Sequence, residues 1–177
     1  MTTWNIDTTH ANVDFSVKHM AISTVRGAFN LFNGTGATNE DGFPVSLAMQ
    51  IDAASISTNN EQRDGHLKSP DFFDVANHPT LTFKSTRISG TREDVTIVGD
   101  LTIRGVTKSV TLKGELGPIV KDPWGNERTS LVATGKISRE QFGLTWNMAL
   151  EFGGVMVSDE VKLHVEVEAV KAAPVPA

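Results

Sequence analysis

From Asp7 to Phe32 the chain reads DTTHANVDFSVKHMAISTVRGAFNLF, and its apolar side chains fall on every second position. Val13, Phe15 and Val17 point one way, while Asn12, Asp14, Ser16 and Lys18 point the other. A period of two is the mark of a strand with one buried face. The pattern recurs along the chain. Val45, Leu47, Met49 and Ile51 share a face, Leu81 and Phe83 follow, and Val95, Ile97, Leu101 and Ile103 form a long face around Gly99. Val110, Leu112 and Leu116 come next, then Leu131, Ala133, Gly135 and Ile137. Val161, Leu163, Val165, Val167 and Ala169 alternate with Lys162, His164, Glu166 and Glu168. This predicts about eight antiparallel strands, each wet on one side.

Turn residues separate the strands. Asp41-Gly42 and Asn33-Gly34 both carry hairpin chemistry. Asp41-Gly42 is read as the reversal, and Asn33-Gly34 as a bulge or bend inside one long strand. Arg104-Gly105 marks a tight turn, and Asp122-Pro123-Trp124-Gly125-Asn126 a wider one. Asn59 to Pro79 breaks the alternation. Asn59 or Asn60 can cap a helix starting at Glu61, and Ser69-Pro70-Asp71 is a second helix-start signal, so two short helical pieces are predicted in one crossing. One domain over residues 1–171 is expected, with a loose tail at 172–177.

Strands of this kind bury their apolar faces as a sandwich or as a closed barrel, and closure removes exposed edges. A barrel of about eight strands can hold one small ligand. A chain of 177 residues is long enough for a substantial core. The net charge of −5 gives no basic footprint for nucleic acid, and the absence of cysteine removes disulfides, thiol nucleophiles and cysteine metal sites. No apolar run reaches the ~20 residues of a membrane span. The first strand pattern starts at Trp4, directly after Met1-Thr2-Thr3, so a cytoplasmic location is expected.

Catalytic signatures are sparse. No G-x-S-x-G, P-loop or H-E-x-x-H run is present. Asp64 and His66 are close enough to form a dyad, and surface or lid residues are the plainer reading. His164 belongs to a polar face, His78 ends the helical crossing, and His10 organises the first turn. His19 ends a strand face, where structural hydrogen bonding is the first expectation. Neither a catalytic nor a metal-ligating residue is assigned.

A long series of ordered motifs then becomes recognisable. Trp4-x-Ile6-Asp7-x-x-His10 leads into Val13-x-Phe15-Ser16-Val17-Lys18-His19-Met20 and Val25-Arg26-Gly27-x-Phe29-x-x-Phe32-x-Gly34. Ile51-Asp52, Ser55-Ile56-x-Thr58, Arg63-Asp64-x-His66-Leu67, Asp71-Phe72-Phe73-Asp74 and Pro79-Thr80-Leu81-x-Phe83 follow in order. Gly99-Asp100-Leu101-Thr102-Ile103-Arg104-Gly105-Val106-Thr107 and Phe142-Gly143-Leu144-x-Trp146-Asn147 complete it. Over nearly its whole length the chain resembles the YceI-like family of polyisoprenoid-binding proteins.

The resemblance implies an all-β, lipocalin-like antiparallel barrel with one short helical crossing and a long apolar tunnel. It implies a polyisoprenoid or related long-chain lipid, such as a prenyl quinone or its precursor, held without catalysis or cofactor. On that reading the tunnel is lined by Phe15, Val17, Phe29, Phe32, Leu47, Met49 and Ile51. Phe83, Leu101, Leu131, Ile137, Phe142, Trp146 and Met148 complete the lining. His19, Arg63, Asp64, His66 and Asn147 are the candidates for contact with a polar head at the mouth. Two other functions stay open at this point: an enzyme acting on the lipid head through a His or Asp, and a stress-responsive interaction module whose barrel is filled by its own side chains. The sequence leaves the oligomeric state open, with a homodimer as one option.

Overall fold

The computed structural model describes residues 1–176, and of the expected tail Ala177 lies outside them. Eleven strands are present: β1 Thr2–His19, β2 Ser23–Phe29, β3 Phe32–Thr38, β4 Pro44–Asp52, β5 Ile56–Ser57, β6 Thr80–Gly90, β7 Val95–Ile103, β8 Val106–Leu116, β9 Val120–Lys121, β10 Glu127–Ser138 and β11 Val157–Lys171. The helix α1 spans Glu61–Lys68. Eight strands close in the order β1-β3-β4-β6-β7-β8-β10-β11, and β11 pairs back onto β1. Every pairing is antiparallel. This is the lipocalin-like barrel of about eight strands that the alternation and the resemblance imply.

The long strand β1 has two neighbours on one side. Its first residues pair with β3 (Trp4 opposite Gly36), and its second half pairs with β2 (Phe15 opposite Gly27). β2 and β3 therefore act as one strand interrupted at Asn30-Leu31. There the backbone leaves β1 to bond Ser55 O through Asn30 N, while Leu31 O accepts from Asp52 N. The break is at this point and not at Asn33-Gly34, which pairs regularly with Gln50 and Met49. Asp41-Gly42 is the reversal, as expected: Gly42 has a φ of +76°, and the Asn39 side chain accepts from both Asp41 N and Phe43 N.

Arg104 and Gly105 both take positive φ in the two-residue turn joining β7 to β8, the conformation such hairpins need. The expectation of two helical pieces is corrected to one. Asn60 caps α1 by accepting from Arg63 N, but Ser69-Pro70-Asp71 forms turns, with Ser69 Oγ donating to His66 O. The Ser69 hydroxyl thus ends α1 instead of starting a second helix. A second correction falls on Val45. Thr38 pairs with Pro44 while Ala37 pairs with Ser46, so one extra residue bulges on β4. Pro44 turns inward and Val45 is left 45% exposed.

The seam between β1 and β11 contains a larger bulge. Ile6 pairs with Ala169 and Ala11 with Val167, so the four residues Asp7 to His10 on β1 stand against Glu168 alone. Asp7 shapes this bulge. Its Oδ1 accepts from Thr9 N (3.1 Å) and Thr9 Oγ1 (2.6 Å), and its Oδ2 lies 3.0 Å from His10 Nδ1. Arg128 on β10 then donates to Asp7 (2.8 Å), Asp122 (2.8 Å) and Glu168 (2.7 Å), tying the bulge, the β9–β10 turn and β11 together. The Thr9 hydroxyl, then Arg128 and His10, hold the Asp7 carboxyl well below the usual carboxylate range. Arg128 holds Asp122 at about 2.

Another arginine clamps the irregular segment between β10 and β11. Arg139 is 5% exposed and has no carboxylate partner among the described residues. Its guanidinium donates to four carbonyls: Ser158 (2.8 Å), Leu144 (2.6 Å), Trp146 (3.0 Å) and Val157 (3.2 Å). Burial pushes its pKa down, and the nearby Glu140 and Asp159 oppose that.

Two expectations follow from these clamps. A carboxylate held low in the folded state stabilises above its unfolded pKa near ~4 and loses that contribution as pH falls through the folded value. The melting temperature of the native chain should exceed that of Arg128→Met most clearly above pH ~4, and the gap should shrink as pH drops toward ~2. A gap independent of pH in melts across this range would contradict the seam's role. Arg139→Ala strands several buried carbonyls, each costing about 1–3 kcal/mol if unmet. Hydrogen exchange should show residues 144–157 losing protection in Arg139→Ala, with partial rescue in Arg139→Lys, whose ammonium lacks the planar fork.

Candidate functional site

Closure of the sheet turns the alternating apolar faces inward around a cavity of about 260 Å³. Its walls take residues from along the barrel: on β11 alone Val157, Val161, Leu163, Val165, Val167 and Ala169 face it. The thirteen residues Val157 to Ala169, on a strand tilted ~40° and rising ~3.3 Å per residue, correspond to a lumen about 30 Å long. The wall is almost wholly hydrocarbon.

Its shape depends on where aromatic rings lie. Phe15 and Phe83 rest over glycines on neighbouring strands. A Cβ on Gly27 would stand 2.4 Å from Phe15 Cζ, and one on Gly99 would stand 2.4 Å from Phe83 Cζ. The Arg26-Gly27 step and the Gly99 in the β7 alternation are therefore seats for rings, which lie along the wall instead of crossing the lumen. Phe29 meets Phe15 at 5.8 Å and Phe73 at 5.7 Å between ring centroids. Phe72 and Phe142 are buried at the end beside α1, and Leu67 of the helix completes that end.

The opposite end is closed by Arg92. It donates to Gly42 O (3.1 Å) and Gly117 O, so one side chain joins the β3–β4 turn to the end of β8. Trp4 Nε1 donates to Thr38 Oγ1 at 2.9 Å beside it. Thr35, Thr129 and Ser130 add the few remaining polar side chains at that end. Among the described residues, no buried side-chain nitrogen or oxygen lacks a hydrogen-bond partner.

Of the fourteen residues expected to line a tunnel, Phe15, Val17, Phe29, Leu47, Met49, Ile51, Phe83, Leu101, Leu131, Ile137 and Phe142 border the cavity. Phe32 and Trp146 do not, although both pack against the buried core beside it. Phe32 stands opposite Ile51 at the end of its sheet face, beyond the open space. Met148 is corrected outright: it is 51% exposed, because residues 148–156 form a small projecting hairpin closed by the Ala149–Val155 bridge.

The five candidates for head contacts do not border the cavity. Asp64 Oδ1 accepts from Thr58 N (2.8 Å) and Thr58 Oγ1 (2.5 Å), and Arg63 donates to Thr58 Oγ1 and O, so this pair fixes α1 to β5. His66 Nε2 lies 2.8 Å from Asp71 Oδ2, and its ring meets Trp146 edge-on at 4.7 Å. Asn147 pairs with the backbone of Val157 in both directions. His19 ends β1, where its carbonyl accepts from Ile22 N.

Sequence reasoning passed over Arg92 and Arg139. Arg139 shares parity with Leu131, Ala133, Gly135 and Ile137, an inward-facing arginine that the alternation could have flagged. Asp7, His10 and Glu168 bring ligand-type atoms within 4.8 Å of one another at the seam, but the Arg128 guanidinium already sits on both carboxylates.

Comparison with known proteins agrees with this architecture. A UPF0312 protein of Staphylococcus aureus strain USA300 is 37% identical over 170 residues, covering 95% of this chain and 97% of that protein. The crystal structure of the Campylobacter jejuni YCEI protein superposes with a TM-score of 0.77 at 31% identity, over 88% of this chain and 90% of that one. A polyisoprenoid binding domain from Saccharophagus degradans shares the fold, with a TM-score of 0.71 at 14% identity over 97% of this chain and 100% of that one. Residues 4–169 match the YceI-like domain, and the chain belongs to that family.

Proposed function

We propose that this protein binds a polyisoprenoid or related long-chain lipid in its lumen and carries or sequesters it without chemical change. The observation that carries this reading is a closed barrel whose inner faces leave a long hydrocarbon-walled cavity instead of filling it. The polyisoprenoid-binding description of a structural neighbour supports the same ligand class. A barrel stuffed with its own side chains would not retain 260 Å³, which disfavours the self-filled module. Of the groups that an enzyme reading would use at the mouth, Asp64, His66 and His19, none borders the cavity, and Asp64 and His66 are bonded to Thr58 and Asp71. The carboxylates held below their ordinary pKa, Asp7, Asp122 and Glu127, stand at the outer seam.

Binding energy then comes from the tail. Burial contributes roughly 0.8 kcal/mol for each CH₂-sized group removed from water. At a realized efficiency of ~0.3 kcal/mol per heavy atom, each isoprene unit of about five carbons adds ~1.5 kcal/mol, roughly tenfold in Kd. The lumen therefore selects by tail length up to its own depth and discriminates weakly by tail chemistry. A hydrogen bond to the head adds only ~1 kcal/mol net.

Filling the lumen tests this. Ala133 is 1% exposed and Met49 borders the cavity at mid-barrel. Ala133→Phe or Met49→Trp should abolish lipid recovered by organic extraction and mass spectrometry while the barrel still folds. Overpacking lowers stability by about 1–3 kcal/mol, so melts accompany the assay. His66→Ala should leave lipid retention within a fewfold of the native chain. If His66→Ala instead removes turnover of a prenyl substrate and spares retention, the enzyme reading takes its place.

A further inference from the structure

The barrel end formed by the β1–β2 turn and residues 144–156 differs from the rest of the surface. Ile22 is 82% exposed and Phe152 is 96% exposed, and Met20, Met148 and Val155 stand out beside them. These are not scattered side chains. Met20 N donates to Met156 O at 2.7 Å, and Met156 N donates to Met148 O at 2.9 Å, so the two tips form one linked surface. Their backbones hold the side chains outward. Met20 and Ala21 take positive φ in one turn, and Gly153 and Gly154 do so in the other. Single exposed apolar residues are ordinary, but a contiguous group on two joined loop tips marks a contact surface.

Behind the tips a row of cations crosses the outer face of the sheet. Ser16 of β1 stands opposite Arg26 of β2 and Lys162 of β11, and Lys162 stands opposite Lys136 of β10. Lys18 lies nearer the tips and donates to Thr24 Oγ1. Directly opposed cations such as Lys162 and Lys136 repel one another. Among the described residues only Lys136 of these cations makes an ion pair, with Glu160 at 3.9 Å, and Glu160 shares the outer face of β11 with Lys162; Lys18, Arg26 and Lys162 make none. Glu151 is the one carboxylate on the projecting tip itself. In a chain of net charge −5, Arg26, Lys162, Lys136 and Lys18 leave a local excess of positive charge over Glu160 and Asp14 on the same outer face.

The spacing matches a bilayer surface. Ile22 and Arg26 are separated by four residues, about 13 Å along the strand. Apolar side chains of surface-bound proteins reach ~5–10 Å into the boundary between headgroups and acyl chains. Cations ~13 Å behind the tips then lie within a Debye length of the phosphates. The same end covers the lumen: Val17, Val157 and Leu144 border the cavity there, under the segment that Arg139 clamps.

We propose that this end of the barrel docks on an anionic phospholipid bilayer, with the Ile22 and Phe152 tips inserted and the Arg26–Lys162–Lys136 row facing lipid phosphates. This deepens the lipid-carrier reading and rests on it only for the cargo. Docking in this pose sets the covered end of the lumen against the source or destination of a lipid.

Flotation of the full chain with vesicles of phosphatidylcholine plus about one-third phosphatidylglycerol tests it. The native chain should float with these vesicles and bind those of phosphatidylcholine alone at least tenfold more weakly. Ile22→Ser/Phe152→Ser should lower binding at least tenfold, and Arg26→Glu/Lys162→Glu should reduce it to the neutral-vesicle level. All four positions are exposed, and melts confirm folding. No binding by the native chain, or undiminished binding by the serine variant, overturns the proposal. So does light scattering that shows a dimer dissolved by Phe152→Ser, since the face then belongs to a second copy. Extraction separates the two readings: retained lipid without vesicle binding defeats docking alone, and vesicle binding without lipid uptake defeats the carrier reading alone.

Discussion

Everything in this molecule depends on β1 closing against β11. The two strands pair from Trp4–Lys171 to His19–Val157, nearly the whole length of both. Without that seam the sheet would have two long edges and an open apolar face. With it, a period of two along eight strands becomes an inside and an outside. The seam is not regular, because β1 must pass from β3 to β2 while keeping β11. The bulge at Asp7 to His10 absorbs that change, and Asp7 and Arg128 hold it. A polar network at the surface thus permits an interior with almost no polar groups.

The interior is kept open by small residues as much as by large ones. Gly27 and Gly99 let Phe15 and Phe83 lie along the wall, and Ala133 faces the cavity where a larger side chain would enter it. The polar groups that reach the ends are turned toward protein. Arg92 and Arg139 both give their donors to backbone carbonyls, which ties loops across the two openings. Such an interior offers a guest solvent exclusion and shape. On the proposed lipid-binding function, affinity turns on tail length and not on a head-binding residue.

Much of this was legible in the sequence, because strand alternation is a local signal and a barrel is its repeated use. The tight turn at Arg104-Gly105, the reversal at Asp41-Gly42 and the Asn60 cap of α1 all follow from residues within a few positions of each other. The misses share a cause. The bulge that exposes Val45 and buries Pro44 is a register event, set by a partner strand and not by the local run. Ser69-Pro70 carries helix-start chemistry, but its hydroxyl is taken by His66 O of the preceding helix. Arg63, Asp64 and His66 are candidates in the sequence for a polar head at the mouth, yet Thr58 and Asp71 take their side chains away from the cavity. Arg92 reaches Gly42 from fifty residues away, and nothing local announces such a partner.

The central claim is that the lumen takes the hydrocarbon tail of a lipid. Methyl NMR of the full chain, titrated with a long-chain prenyl alcohol, tests it most directly. Met49, Leu131 and Ala133 border the cavity, whereas Val45 and Val132 face solvent. The account expects the first three methyl sets to shift saturably and together, with Val45 and Val132 unmoved. Shifts confined to the outer methyls, or lumen methyls unchanged at saturating lipid, would contradict it.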